Sequence, residues 1–319
     1  MAVIVKTVKS SAGDYASLSA ADAGIKASGD NVNTNSVIIE CYAMEDTAGE
    51  ITLDAGWNIT ALTITVPVAE RHNGTRGTGY RNVHSIGGGQ NIYLRNIECP
   101  VTIDGIAARN TSTADYGCCF LADNTTRSGL THTLKNCLMY NPSEGCIEMY
   151  GGASIFYVIN NITYGGQFGI EAVGTGNIYC YNNTILNPSY VGFYADMSGG
   201  AVCYVTNCYV DGDDADAGYF GAMTKATSPA SDASGTSEIE VAACDFTNAT
   251  AGSENANIAA TSDLMGAGTY LASVLTDFYG RTRANPPAVG AAEYVEEGGG
   301  TTGIKIPIVI YHLQQQGIC

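Results

Sequence analysis

Positive charge is what this chain has least of: 14 Lys and Arg stand against 31 Asp and Glu in 319 residues, a net charge of −17. A nucleic-acid binder needs a basic footprint that releases counterions, so the deficit excludes nucleic acid as a partner and argues equally against anionic membranes. A strongly acidic surface instead keeps an abundant, multi-copy protein soluble before assembly. Long apolar runs are missing too, and nothing approaches a membrane span. Residues 1–8 hold only the apolar run Val3 to Val5 before Lys6, too short for the core of a signal peptide. The expectation is synthesis and folding in a cytosol.

Histidine is scarce, with only His72, His84, His132 and His312, and charged residues of either sign make up 14% of the chain. Cysteine is the exception at 11 residues, yet the chain is neither small nor visibly secreted, which disfavours a disulfide scaffold. Cys137, Cys208 and Cys244 share an apolar column with Ile97 and Ile162, and Cys118 and Cys146 share another with Ile170. They read as reduced core residues. Cys118-Cys119 is the only tight pair and has no His beside it. The expectation is no structural metal, no cofactor and few or no disulfides.

A short motif returns along the middle third: LKNCLMY (134–140), INNITYG (159–165), YNNTILN (181–187) and VTNCYVD (205–211). Its residues Asn136, Asn161, Asn183 and Asn207 are separated by 25, 22 and 24 positions. Period-two alternation flanks each Asn, so every copy reads as strand, Asn turn, strand, and a period of this length without helical pattern is a solenoid of short strands. Weaker copies extend it, around Asn96 and around Ala243. A second landmark is Gly followed by an apolar residue, as at Gly145-Cys146, Gly169-Ile170, Gly192-Phe193 and Gly218-Tyr219. Each coil therefore has three strands with Asn or Gly at corners that need a left-handed backbone. Coils stacked about 4.8 Å apart would align the four Asn into one buried ladder. The alternative, an antiparallel sandwich, would seldom keep four columns in register.

The chain divides into an initial strand with a capping helix (1–30), a parallel β-helix (31–294) and a Gly-rich linker with a terminal strand (295–319). The helix spans Leu18 to Ala27, with Ser17 as N-cap and Leu18, Ala21 and Ile25 on one face. A polar loop, Glu70 to Asn82, interrupts the early coils, and an insertion, 211–238, interrupts the late ones. In that insertion Asp211, Asp213, Asp214 and Asp216 could converge on calcium, but they lack the Gly and Glu of an EF-hand loop, and a solvated acidic loop is the simpler reading.

Three stretches carry a family resemblance: the opening TVKSSAGDYASLSAADAGI (7–25), the NN-T-I coils, and the closing DFYGRTRANPPAVGAAEY (277–294) with its D-x-x-G-x-x-R…G-A-x-E-Y pattern. Together they resemble right-handed parallel β-helix repeat proteins of the pectate-lyase-like superfamily, and within it the phage-associated branch. The resemblance implies an all-β, single-stranded right-handed parallel β-helix. It leaves activity open, since the superfamily holds lyases, hydrolases, epimerases, tailspikes and inert coils. The polygalacturonase pattern N-T-D, D-D, G-H-G, R-x-K is echoed only by Asp213-Asp214, and no His lies in a G-H-G context.

Acids in the body are few: Glu144, Glu148, Glu171 and Asp196. Glu148 and Glu171 lie 12 and 10 residues after Asn136 and Asn161, close to one column, and form the best catalytic candidate, against the reading of two solvated surface carboxylates. Tyr204 and Tyr209 could stack on sugar rings, though Tyr is also an ordinary strand residue. The tail IKIPIVIYHL (304–313), with Ile304, Ile306, Ile308, Ile310 and Tyr311, must dock somewhere, either back along the solenoid or on a neighbouring subunit by strand addition.

The leading expectation is a non-enzymatic virion structural protein, a bacteriophage head-decoration or fibre component. It would be made in the host cytoplasm and associate with itself, as a homotrimer by the resemblance, and with a virion protein such as the major capsid protein. The alternative is a phage tailspike or another polysaccharide-degrading or carbohydrate-binding β-helix protein, with a host surface glycan as ligand.

Overall fold

In the computed structural model, residues 1–85, 89–112, 117–123, 129–150, 152, 154–211, 218–221, 223–226, 246–248 and 255–294 are described. The chain winds through three parallel sheets, one strand per sheet per coil. Sheet A has nine strands, from β1 (Ala2–Val8) through Asn35–Cys41, Ala61–Thr65, Val101–Asp104, Thr131–Lys135, Ile155–Ile159, Asn177–Tyr181 and Cys203–Thr206 to Thr224–Ala226. Sheet B runs from Glu45–Asp46 through Arg81–His84, Ala107–Asn110, Leu138–Tyr140, Ile162–Tyr164 and Thr184–Leu186 to Tyr209–Asp211, and sheet C from Ile51–Leu53 through Ile92–Arg95, Phe120–Asp123, Gly145–Tyr150, Phe168–Gly174 and Val191–Met197 to Tyr219–Gly221. This is an all-β parallel β-helix. Alternate residues point into a lumen filled by Ile39, Leu62, Ile103, Met139, Ile147, Phe193 and their neighbours.

The N-terminal end is closed by helix α1 (Leu18–Lys26). Ser17 caps it by accepting from the Ala20 amide, and Leu18, Ala21 and Ile25 are buried in the lumen core. Trp57 Nε1 donates to Asp22 at 2.8 Å, which ties the cap to the second coil.

The Asn residues do not form one ladder. Strand register aligns Ile159 with Lys135 and with Tyr181, and Tyr181 with Thr206, so the next residue in each coil, Asn136, Asn160, Asn182 and Asn207, falls in one column. All four have φ between 53° and 55° and make the sharp corner from sheet A into sheet B. Asn161 and Asn183 stand one residue later, in a lumen-side column with Cys137 and Cys208. There Asn183 Oδ1 accepts from the Asn161 amide at 2.9 Å, and Asn161 Oδ1 from the Cys137 amide at 3.0 Å. The Cys208 sulfur accepts from the Asn183 amide, ending that shorter ladder. Asn96 turns the chain out of sheet C, not out of sheet A, so it is no copy of the motif.

The coils end earlier than residue 294. Tyr219–Gly221 and Thr224–Ala226, inside the expected insertion, are strands of sheets C and A, whereas residues 262–294 lie outside the coils. That segment covers the outer face of sheet B, where Leu138, Ile162, Tyr164 and Tyr209 pack against Leu264, Phe278, Val289 and Ala291. The loop expected to be polar, 70–82, joins the cover: Arg76 sits over Tyr140 and Tyr164, and His72 packs on Phe278. Sheet B is thus apolar on both faces.

A buried network fixes the cover. Arg283 pairs with Glu293 at 2.8 Å and donates to Asn160 Oδ1 at 2.8 Å and to the Gly290 and Ala291 carbonyls. Asp277 accepts from the Tyr279, Arg281 and Glu293 amides. Gly290, at φ 90°, lies so close to sheet B that a Cβ would sit 2.6 Å from Thr184 Oγ1. The D-x-x-G-x-x-R…G-A-x-E-Y pattern is therefore the clamp that holds the closing segment to the corner column. Replacing Arg283 by Met strands Glu293 and Asn160 without their donor and should cost about 3–5 kcal/mol. Urea unfolding measures this, and a loss under about 1 kcal/mol would show the clamp to be dispensable.

Candidate functional site

The acid pair lies on the outward side of sheet C. Gly145–Tyr150 and Phe168–Gly174 run parallel with Glu148 opposite Glu171, and outward alternation adds Tyr150 beside them. The same column continues to Tyr194 and Phe220, whose rings stack at 5.6 Å. In-register neighbours stand about 4.8 Å apart, near the separation used by retaining glycosidases.

The carboxylates are not solvated surface groups. Glu148 is 3% exposed and Glu171 7%. Glu148 Oε1 accepts from the Gly145 amide at 2.7 Å, and Tyr150 donates its hydroxyl to Glu171 Oε2 at 2.9 Å. Burial first, then the charges of Glu144 and Glu171, push the Glu148 carboxyl up to about 8. Burial also raises Glu171, against the Tyr150 hydrogen bond. At neutral pH Glu148 is a neutral acid, held beside the Glu171 carboxyl. That is the proton inventory of general acid catalysis, but at this exposure neither group meets a substrate-sized groove. A shallow depression lined by Thr52, Asp54, Gly56, Arg95 and Asn96 shares no residue with the pair.

The remaining sequence candidates fall elsewhere. Asp211 ends a strand of sheet B and accepts from the Tyr209 hydroxyl at 3.4 Å, while Asp213, Asp214 and Asp216 lie outside the described residues. So do Ile304, Ile306, Ile308, Ile310 and Tyr311. Tyr209 is fully buried beneath the closing segment and offers no ring to a ligand. His132 faces the lumen, stacked on Phe156 at 5.0 Å, where burial lowers its pKa to about 4. The nine described cysteines are free and buried.

Sequence reading missed the outer face of sheet A. Tyr157, Tyr179 and Tyr204 are in register there, with ring centroids 5.1 Å apart at each step. Aligning on the second Asn of each NN pair puts Tyr157 and Tyr179 in the column of His132 and Cys203; strand register gives those places to Phe156 and Ile178.

No protein-family model matches the chain, and no curated protein matches it. Among solved structures it is similar to the crystal structure of pectate lyase Pel9A, with a TM-score of 0.37 and 14% identity over 92% of this chain and 97% of that one. A likeness this low carries no argument, and the β-helix rests on the strand pairing described above.

Linkage gives the acid pair a testable sign. The folded chain holds the Glu148 proton more tightly than the unfolded chain, whose carboxyl titrates near the ordinary 4.5. Stability therefore falls as pH rises between about 4.5 and 8. Glu148→Gln, which mimics the neutral acid, should remove that part of the slope. Urea midpoints of both proteins from pH 5 to 8 check it; curves that stay parallel would mean Glu148 does not titrate in this window.

Proposed function

We propose that this chain is a non-enzymatic structural component of a bacteriophage particle, displayed in many copies on its surface as a head-decoration or fibre subunit. The observation that carries the reading is the outer face of sheet A. From Ile155 to Thr224 its outward residues include Ile155, Tyr157, Ile159, Tyr179, Tyr181 and Tyr204, and none is charged at neutral pH. Two copies of net charge −17 repel, and they meet at least cost where local charge is lowest. Tyr179 is stacked on both faces, by Tyr157 and Tyr204, so the centre of the strip presents ring edge and hydroxyl, which suit a protein surface better than the face of a sugar ring.

The particle itself is supplied by the resemblance of 7–25 and 277–294 to phage-associated β-helix proteins. On this reading the chain is made in the host cytoplasm, packs side by side with copies of itself as a homotrimer, and meets a virion protein such as the major capsid protein. Tyr179→Asp with Tyr204→Asp should convert the oligomer to single chains with an unchanged far-UV spectrum. Sedimentation measures the mass, and immunogold labelling locates the protein on particles. Wild-type protein that sediments as one chain and labels no particle would overturn the reading.

One observation favours a second reading, a tailspike or other polysaccharide-degrading or carbohydrate-binding β-helix: the Glu148–Glu171–Tyr150 group followed by Tyr194 and the half-exposed Phe220. It expects release of reducing ends from host polysaccharide that Glu171→Gln lowers at least about 100-fold. Wild-type protein that neither binds nor cleaves such glycans removes it.

A further inference from the structure

The first strand of sheet A leaves one edge open. Among the described residues β1 pairs along its length only with Asn35–Cys41. At its end, Thr7 is closed off: its amide donates to Asp14 at 2.7 Å and its carbonyl accepts from the Tyr15 amide at 3.0 Å. Both groups of Thr7 point away from the neighbouring strand, while the Val8 carbonyl faces it and accepts from Tyr42. Backbone groups alternate sides along a strand, so Val3 and Val5 also turn their amides and carbonyls to the open edge. Their side chains are each 46% exposed. An open apolar edge of this kind is a template for another strand.

The closing segment is directed at that edge. The Gly290 amide donates to the Asn207 carbonyl and the Ala291 amide to Thr184, and Glu293 joins Arg283 at Asn160. Over these few residues the chain steps along the corner column from later coils toward earlier ones. The strand before Asn160 is five strand steps from β1 in sheet A, which is about 24 Å at 4.8 Å per step. Residues 295–303 reach about 30 Å when extended.

Beyond that linker the sequence alternates, with Ile304, Ile306, Ile308 and Ile310 on one parity and Pro307 on the other. Proline has no amide, so a strand that contains it can pair on one side only and must end a sheet. With Pro307 facing solvent, the four isoleucines turn their backbone groups to the neighbour. In parallel orientation their side chains fall on the lumen side, in line with Ile4 and Val37.

We infer that residues 304–313 of the same chain add to β1 as the terminal strand of sheet A, sealing its open edge in cis. The nine-residue linker favours this over the tail of a second copy, because a tethered segment within reach outcompetes a free one.

Hydrogen exchange at the Val3 and Val5 amides of the full chain tests it. These amides should exchange at least about tenfold more slowly than in a chain lacking 304–319. Ile308→Pro, which removes an amide facing β1, should abolish the protection, and Val309→Pro, on the solvent-facing parity, should keep it. Equal exchange with and without the segment overturns the inference. Equal effects of the two proline variants overturn the assigned parity. Protection that is lost on hundredfold dilution assigns the edge to a second copy and overturns closure in cis.

Discussion

From Asp104 to Thr206 each coil leaves sheet A for sheet B at a single residue, and the left-handed corner that does this is the constraint on which the rest depends. In these coils a left-handed residue recurs at the same height, because parallel strands in register leave no freedom to move it. Glycine meets the backbone requirement and does so at Gly105, the first left-handed position of this column, beside Asp104. Asparagine meets it and adds an amide. Asn136 uses that amide to reach Asp104, Asn160 to reach Arg283 and the Thr276 carbonyl, and Asn207 to reach Thr269. The corner column is therefore both the hinge line of the solenoid and the seam along which the closing segment is fastened.

That double use explains what could be read from the sequence. The repeat, the cap at Ser17 and the three-stranded coil were legible because corners and caps are local chemistry. The register was legible only to within one residue. In INN and YNN two Asn compete for the corner, and only the first takes it. Alternation would settle the choice if one face of sheet B were wet, but Leu138, Tyr140 and Met139 are all buried, so neither parity looks polar. The cover responsible is contributed by the 70–82 loop and by residues 262–294, distant in sequence, which no local pattern can announce. The same blindness applied to Glu148 and Glu171: their pairing followed from spacing, whereas their burial comes from Gly145, Tyr150 and neighbouring coils.

Charge is distributed with the same economy. The chain is strongly acidic, yet its interior acids are handled individually. Asp46 is held by the Leu18 amide and the Tyr80 hydroxyl, and Asp104 by Arg71 and Lys135. Asp277 is held by amides and Arg281. Glu148 has the amide of Gly145 and burial that favours its neutral form, which makes it the acid whose state the fold itself sets. Among the described residues the late coils of sheet A, from Ile155 to Thr224, carry no outward charged side chain, so this flank lacks the repulsive groups present elsewhere.

The lone tryptophan also makes the capped end of the molecule optically distinct. Trp57 is buried where helix α1 meets the second coil, bonded to Asp22, so its fluorescence reports on the cap alone. Tyr157, Tyr179 and Tyr204 lie nearly coplanar-parallel in the body, close enough for their electronic transitions to couple, and belong to the late coils. Light absorbed by tryptophan alone thus addresses the capped end of the solenoid without any added label. Whether its coils unravel from one end or give way together can be watched in the unaltered chain.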